Sequence, residues 1–132
     1  MSKDRFDDDA DYLQVLWGQA EEALFRHRCY SNVIVSKDDL QIGYVKVPGS
    51  KGRRICVMRK WADGGDWFGL GPSAPSSASA VERINCVKLY PALREAVIKQ
   101  AEWYENRLPL AVDEMQHYLD DSPDRVMRPL AS

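Results

Sequence analysis

The chain predicts an α+β fold: an N-terminal helix, an antiparallel β-meander of about four strands, then one or two C-terminal helices. Three observations predict it. Apolar residues recur at three- and four-residue steps over residues 10–27 and again beyond Pro91. Four short runs rich in Val, Ile, Tyr and Trp lie between these periodic segments. Turn-forming residues separate the runs, so they should join as hairpins with the helices segregated from the sheet.

The first helix is expected over residues 10–27, with Tyr12, Leu13, Leu16, Ala20, Ala23 and Leu24 on its apolar side. Asp9 suits its N-cap, and Arg26 and Arg28 suit the negative end of its dipole. The strands are expected at Tyr30–Ser36, Leu40–Val47, Arg53–Trp61 and Trp67–Leu70. Lys37-Asp38-Asp39, Pro48 to Gly52 and Asp63 to Asp66 read as the intervening turns. Residues 71–79, rich in Pro, Ser and Ala, read as a flexible loop. Ser79 and Glu82 then fit a capping box, yet Ile84–Leu89 also alternates like a strand, and the pattern leaves both open. Pro91 suits the first position of a helix running to about Arg107, with Leu93, Val97, Ile98, Ala101, Tyr104 and Leu108 as its stripe. Pro109 should break or kink it, and Val112, Met115 and Leu119 carry a helical face on to about Asp121. The tail, 122–132, is expected to be irregular.

At 132 residues the chain is long enough for a single domain, 1–132, and 45% hydrophobic with 29% charged residues is enough to bury a core. No apolar run approaches the roughly 18 residues of a membrane span, and the acidic segment 1–9 does not resemble a secretory signal, so a cytoplasmic protein without a membrane partner is expected. Cys29, Cys56 and Cys86 are odd in number and widely spaced, which suits small hydrophobes in a reducing compartment. No metal is expected, because His27 and His117 stand far apart and no ligand pairs occur. No cofactor is expected either: there is no phosphate-binding glycine loop, nucleophile elbow or paired zinc histidines. The expected function is therefore non-catalytic.

The net charge is only -2, but it is unevenly distributed along the chain. Residues 1–24 carry two Lys/Arg against seven Asp/Glu; residues 25–63 carry nine against three; residues 64–132 carry seven against ten. Within the basic segment, Lys46, Lys51, Arg53, Arg54, Arg59 and Lys60 interleave with Tyr44, Trp61 and, just beyond, Trp67. Cations beside π faces suit single-stranded nucleic acid, since cations track the backbone while unstacked bases lie on rings. The candidate nucleic-acid-binding residues are accordingly Lys46, Lys51, Arg53, Arg54, Arg59, Lys60, Trp61 and Trp67.

Tyr44-Val45-Lys46-Val47, then Lys51-Gly52, then Ile55 to Trp61, together with Leu89-Tyr90-Pro91 before an amphipathic helix, resemble the positive-cofactor-four family of transcriptional coactivators. The resemblance spans about residues 44–96. It implies a four-stranded antiparallel sheet whose last strand enters a helix through Leu-x-Pro. It also implies a homodimer through the C-terminal helices, and single-stranded DNA bound on the sheet by Lys46, Lys51, Arg53, Arg59 and Trp61.

A second class of function is a small adaptor or inhibitor, of phage or mobile-element type, that binds a protein partner. Its contact would be the acidic N-terminal segment or the Glu102, Glu105, Asp113 and Glu114 face of the C-terminal helices. The exposure of Trp61 and Trp67 separates the two: exposed rings favour nucleic acid, a buried pair favours the protein partner.

Overall fold

The computed structural model describes residues 3–72 and 74–121; the tail expected to be irregular, 122–132, lies outside the described residues. The order of elements is α1 (Lys3–Phe25), β1 (Val33–Lys37), β2 (Leu40–Lys46), β3 (Arg53–Trp61), β4 (Gly64–Gly69), α2 (Ala80–Cys86), a 3-10 turn (Val87–Leu89) and α3 (Tyr90–Asp120). The α+β class and the four-stranded antiparallel sheet are as the sequence predicts, with strand order β1-β2-β3-β4.

The turns explain the meander. Asp38 and Asp39 both have positive φ, the conformation of the two-residue hairpin turn that matches strand twist. Pro48 fixes the first central φ of the next turn and Gly49 supplies φ +83° at the second, so that the Ser50 N–H donates to the Val47 carbonyl at 3.2 Å. Register then follows: Val33, Tyr44 and Ile55 align across three strands, and Val35, Ile42, Val57 and Phe68 across four. These columns form one face of the sheet. With Leu70 they meet Trp17 and Leu24 of α1, Cys86 of α2, and Leu93 and Val97 of α3 in one apolar core. The α3 helix lies against β1 and β2, and α1 against β3 and α2.

Several boundaries differ from the sequence reading. The α1 helix begins at Lys3, so Asp9 lies inside it and is no N-cap, and it ends at Phe25, leaving Arg26 and Arg28 in the segment before β1. Trp17 is the buried aromatic of α1, whereas Tyr12 and Leu16 are exposed. The strand β4 runs over Gly64–Gly69, because pairing with β3 rather than side-chain composition holds its glycines. Ile84–Leu89 is helical. The Ser79–Glu82 capping box starts α2, and Arg83, Cys86 and Leu89 are buried at three-residue spacing while Ile84 and Val87 are exposed. No strand therefore leads directly into Leu89-Tyr90-Pro91, unlike the order the family resemblance implies; α2 and the 3-10 turn lie between it and β4. Pro109 does not interrupt α3, which is helical throughout its 31 residues.

The stretch read as a flexible loop, 71–79, is tied to β4. The Gly69 N–H donates to the Ser76 carbonyl at 2.6 Å, and the Ala78 N–H to the Gly69 carbonyl at 2.8 Å. A Cβ on Gly69 would collide with the Cβ of Ala74. Gly69→Ala is expected to push this loop off the sheet and cost about 1–3 kcal/mol in a urea denaturation experiment. An unchanged midpoint would show that the loop yields freely.

Two polar ties fix the helices over the sheet. Buried Arg83 donates through Nε to the Leu70 carbonyl at 2.7 Å, and its own carbonyl accepts the Trp17 Nε1–H at 3.2 Å. Glu21 of α1 accepts the Ile55 N–H at 3.0 Å, an edge donor of β3 beyond the end of β4.

Candidate nucleic-acid interface

The period of two along a strand puts neighbouring residues on opposite faces. Arg53, Arg59 and Trp61 therefore share the helix-covered side of β3 with Ile55 and Val57, at its two margins. Arg54 and Lys60 belong to the other side with Cys56 and Met58, as does Trp67 of β4, opposite Met58. The strand also separates them lengthwise, for eight steps from Arg53 to Trp61 span about 26 Å. Seven of the eight residues selected from the sequence thus form two groups, and Trp67, opposite Met58, stands apart from both. Lys46, Lys51, Arg53 and Arg54 lie at one end of the sheet; Arg59, Lys60 and Trp61 lie at the other.

Two of the arginines are engaged in structural ion pairs. Arg54 Nε donates to Glu21 at 2.9 Å, and Arg54 Nη2 to the Pro72 carbonyl at 2.7 Å, which ties β3 to α1 and to the loop after β4. Burial outweighs this pairing at Glu21 and raises its carboxyl above the usual range. Arg59 grips Glu82 with two hydrogen bonds, at 2.8 and 2.6 Å, and lies 3.8 Å over the Phe68 ring. The Arg59 hydrogen bonds hold the Glu82 carboxyl down to about 2. The tryptophans divide as well. Trp61 is 49% exposed, while Trp67 is partly buried, its ring reaching over Gly43 on β2.

The first group has neighbours that the sequence reading missed. Where α1 ends, Phe25 and Tyr30 stand out at 73% and 54% exposed, with exposed Arg26 and Arg28 between them. The β2–β3 turn brings Lys51 and Gly52 beside Phe25, so that one shallow cavity is lined by Phe25, Arg28, Tyr30, Tyr44, Gly52 and Arg53. Arg53 braces the surface: its Nη1 donates to the Cys29 carbonyl at 2.8 Å and its Nε to Asn32 Oδ1 at 3.3 Å. The Lys46 backbone N–H donates to the same Asn32 oxygen at 3.1 Å. Those two side-chain bonds use two of the five N–H donors of Arg53. The missed signal was Phe25-Arg26-His27-Arg28 with Tyr30, where basic and aromatic residues already alternate; assigning the arginines to a helix dipole concealed it.

Burial pushes the Cys56 and Cys86 thiols up to about 12, far from the thiolate that nucleophilic chemistry needs. Among the described residues no group of His, Cys, Asp and Glu is placed to hold a metal ion, and no helix is long and apolar enough to cross a membrane.

Compared with protein families, curated proteins and solved structures, the chain matches none.

Proposed function

We propose that this protein is a non-catalytic binder of single-stranded nucleic acid, and that it binds at the basic, aromatic end of its sheet rather than across a sheet face. The contact residues are Phe25, Arg28, Tyr30, Lys46, Lys51 and Arg53. One observation carries the reading: two exposed rings, Phe25 and Tyr30, and three cations, Arg28, Lys51 and Arg53, come from two separate chain segments to line two adjoining cavities, with Lys46 paired to Arg53 across the strands. Cations at this spacing can follow a phosphate backbone, and each base stacked on an exposed ring is worth about 1–3 kcal/mol. A single strand fits better than a duplex, because loops and a hairpin turn build the surface and bases must be unpaired to reach the rings. Lys46, Lys51 and Arg53 are also the residues of the positive-cofactor-four resemblance that lie at this end.

Fluorescence anisotropy of a labelled single-stranded oligonucleotide, with a duplex of equal length alongside, tests this. Binding is expected to favour the single strand and to weaken steeply with salt. Phe25→Ala should weaken it roughly 5- to 150-fold. Lys51→Ala and Arg28→Ala should each lower the slope of log K against log salt by about 0.7. Lys60→Ala and Trp61→Ala, at the far end, should change little. Absence of binding at low salt would refute the proposal, and sensitivity confined to Lys60 and Trp61 would move the site to the other end.

A further inference from the structure

A further cavity adjoins the one that Phe25 and Arg53 line. It measures about 450 Å³, lies between the end of α1 and the middle of α3, and shares Arg28 and Tyr30 with its neighbour. A space of this size holds a small ligand. Its charges are of both signs: Arg26 and Arg28 enter from the end of α1, and Glu105 from α3. Among the described residues Glu105 forms no ion pair with either arginine. A carboxylate and two guanidiniums thus present acceptors and donors across one cavity. The rest of the wall is apolar or aromatic, with Ala101, Leu108 and Pro109 on α3 and the Tyr30 and Tyr104 rings 4.8 Å apart.

We infer that this cavity takes a guanine base of the bound strand. The inference rests on the single-strand reading above and adds a base preference to it. A planar heterocycle suits a wall of rings and small apolar groups. The polar groups then choose among the bases. An ionised carboxylate only accepts hydrogen bonds, and its two oxygens can hold two adjacent donors. Guanine alone has such a pair, N1–H and the 2-amino group, on its Watson–Crick edge. Adenine and cytosine place an amino group beside a ring acceptor, and thymine and uracil place one N–H between two carbonyls. The next edge of guanine carries O6 and N7, two acceptors that match the forked donors of an arginine. Arg26 lines this cavity and neither of the two beside it, so it takes that edge. Arg28 borders both cavities and stays with the phosphate.

Glu105 is the selecting group. Beside a phosphate backbone its charge repels, and the adjoining cavity, where cations follow the backbone, has no carboxylate in its wall. Toward a base the same charge discriminates, because hydrogen bonds to an ionised acceptor are about twice as strong as neutral ones. Tyr30, on the border of the two cavities, offers its ring to the neighbouring base. All of these residues lie outside the 44–96 stretch that carries the family resemblance.

Anisotropy with two labelled strands of about ten nucleotides tests it, one all thymidine and the other with a single central deoxyguanosine. The full chain is expected to bind the guanine strand roughly 5- to 150-fold more tightly. Deoxyinosine in place of deoxyguanosine lacks the 2-amino group and should lose most of that preference. In Arg26→Ala, replacing guanine by 7-deazaguanine should have no further effect, whereas in the wild type it should weaken binding. Glu105→Ala should bring the thymidine and guanine strands to the same affinity; Glu105 is exposed and alanine favours a helix, so the variant is expected to fold. Equal binding of both strands by the wild type overturns the inference and leaves the single-strand reading standing. A guanine preference that persists in Glu105→Ala overturns it too, since the base is then read elsewhere. If neither strand binds, both fall, and binding of GMP alone would make the cavity a site for a free nucleotide.

Discussion

Replacing Leu93 by alanine is expected to destabilise the protein by about 2–5 kcal/mol. Leu93 has no exposed surface, and it joins α3 to the sheet, to α1 and to α2 within the one core cluster. Removing its isobutyl group loses the transfer energy of the buried carbons and leaves a cavity between rigid elements that cannot close around it. The loss is of the same order as the whole stability of a small domain, so the variant is expected to unfold at markedly lower urea. Leu110→Ala on the same helix is the control. Leu110 is 63% exposed, so its truncation should stay within about 0.5 kcal/mol. Equal small effects at the two positions would mean that α3 does not hold the sheet as described; equal large effects would mean that its far half is covered as well.

The contrast between Leu93 and Leu110 shows what was legible in the sequence. Both halves of α3 carry the same three- and four-residue spacing, and periodicity identifies which side of a helix is apolar without saying what meets it. The hairpins were readable because Asp38-Asp39 and Pro48-Gly49 place unusual φ angles where only a turn accepts them. The capping box at Ser79 and Glu82 was readable for a similar local reason. The candidate site was less so. Arg53, Arg54, Arg59 and Lys60 are close in sequence, but the strand sends them to two faces and two ends, and two of them meet carboxylates 33 and 23 residues away. Those partners, Glu21 and Glu82, come from helices on either side of the sheet in sequence. Phe25 and Tyr30 join Lys51 and Arg53 through the β2–β3 turn and the end of α1, a juxtaposition only the folded chain produces.

Acid should weaken the protein through Glu82, and Glu82→Gln should remove that part of the response. Three contacts favour the charged carboxylate: two hydrogen bonds from Arg59 and one from the Ser79 N–H at 2.8 Å. They hold its folded-state value at about 2 against an ordinary 4.5, so its contribution is complete above 4.5 and is lost as pH falls from there towards 2. A depression of that size corresponds to at most about 3 kcal/mol. The Arg59 side chain is 38% exposed and water screens the pair, so about 1–2 kcal/mol is the expected loss. Glu21 acts in the opposite sense. Burial raises its carboxyl, so protonation relieves a desolvation cost, and its contribution to stability grows as pH falls through its raised value. Urea midpoints measured from neutral pH into the acid range separate the two. The wild type shows the difference of the two trends; Glu82→Gln should flatten the acid limb, and Glu21→Gln should steepen it. Gln keeps a carbonyl oxygen to accept the Ser79 N–H, so the capping box survives and the comparison isolates the charge. If Glu82→Gln tracks the wild type between 4.5 and 2, the Arg59 contact contributes nothing in solution, and the fixed position of α2 over β3 must come from the apolar core and the Arg83 tie alone.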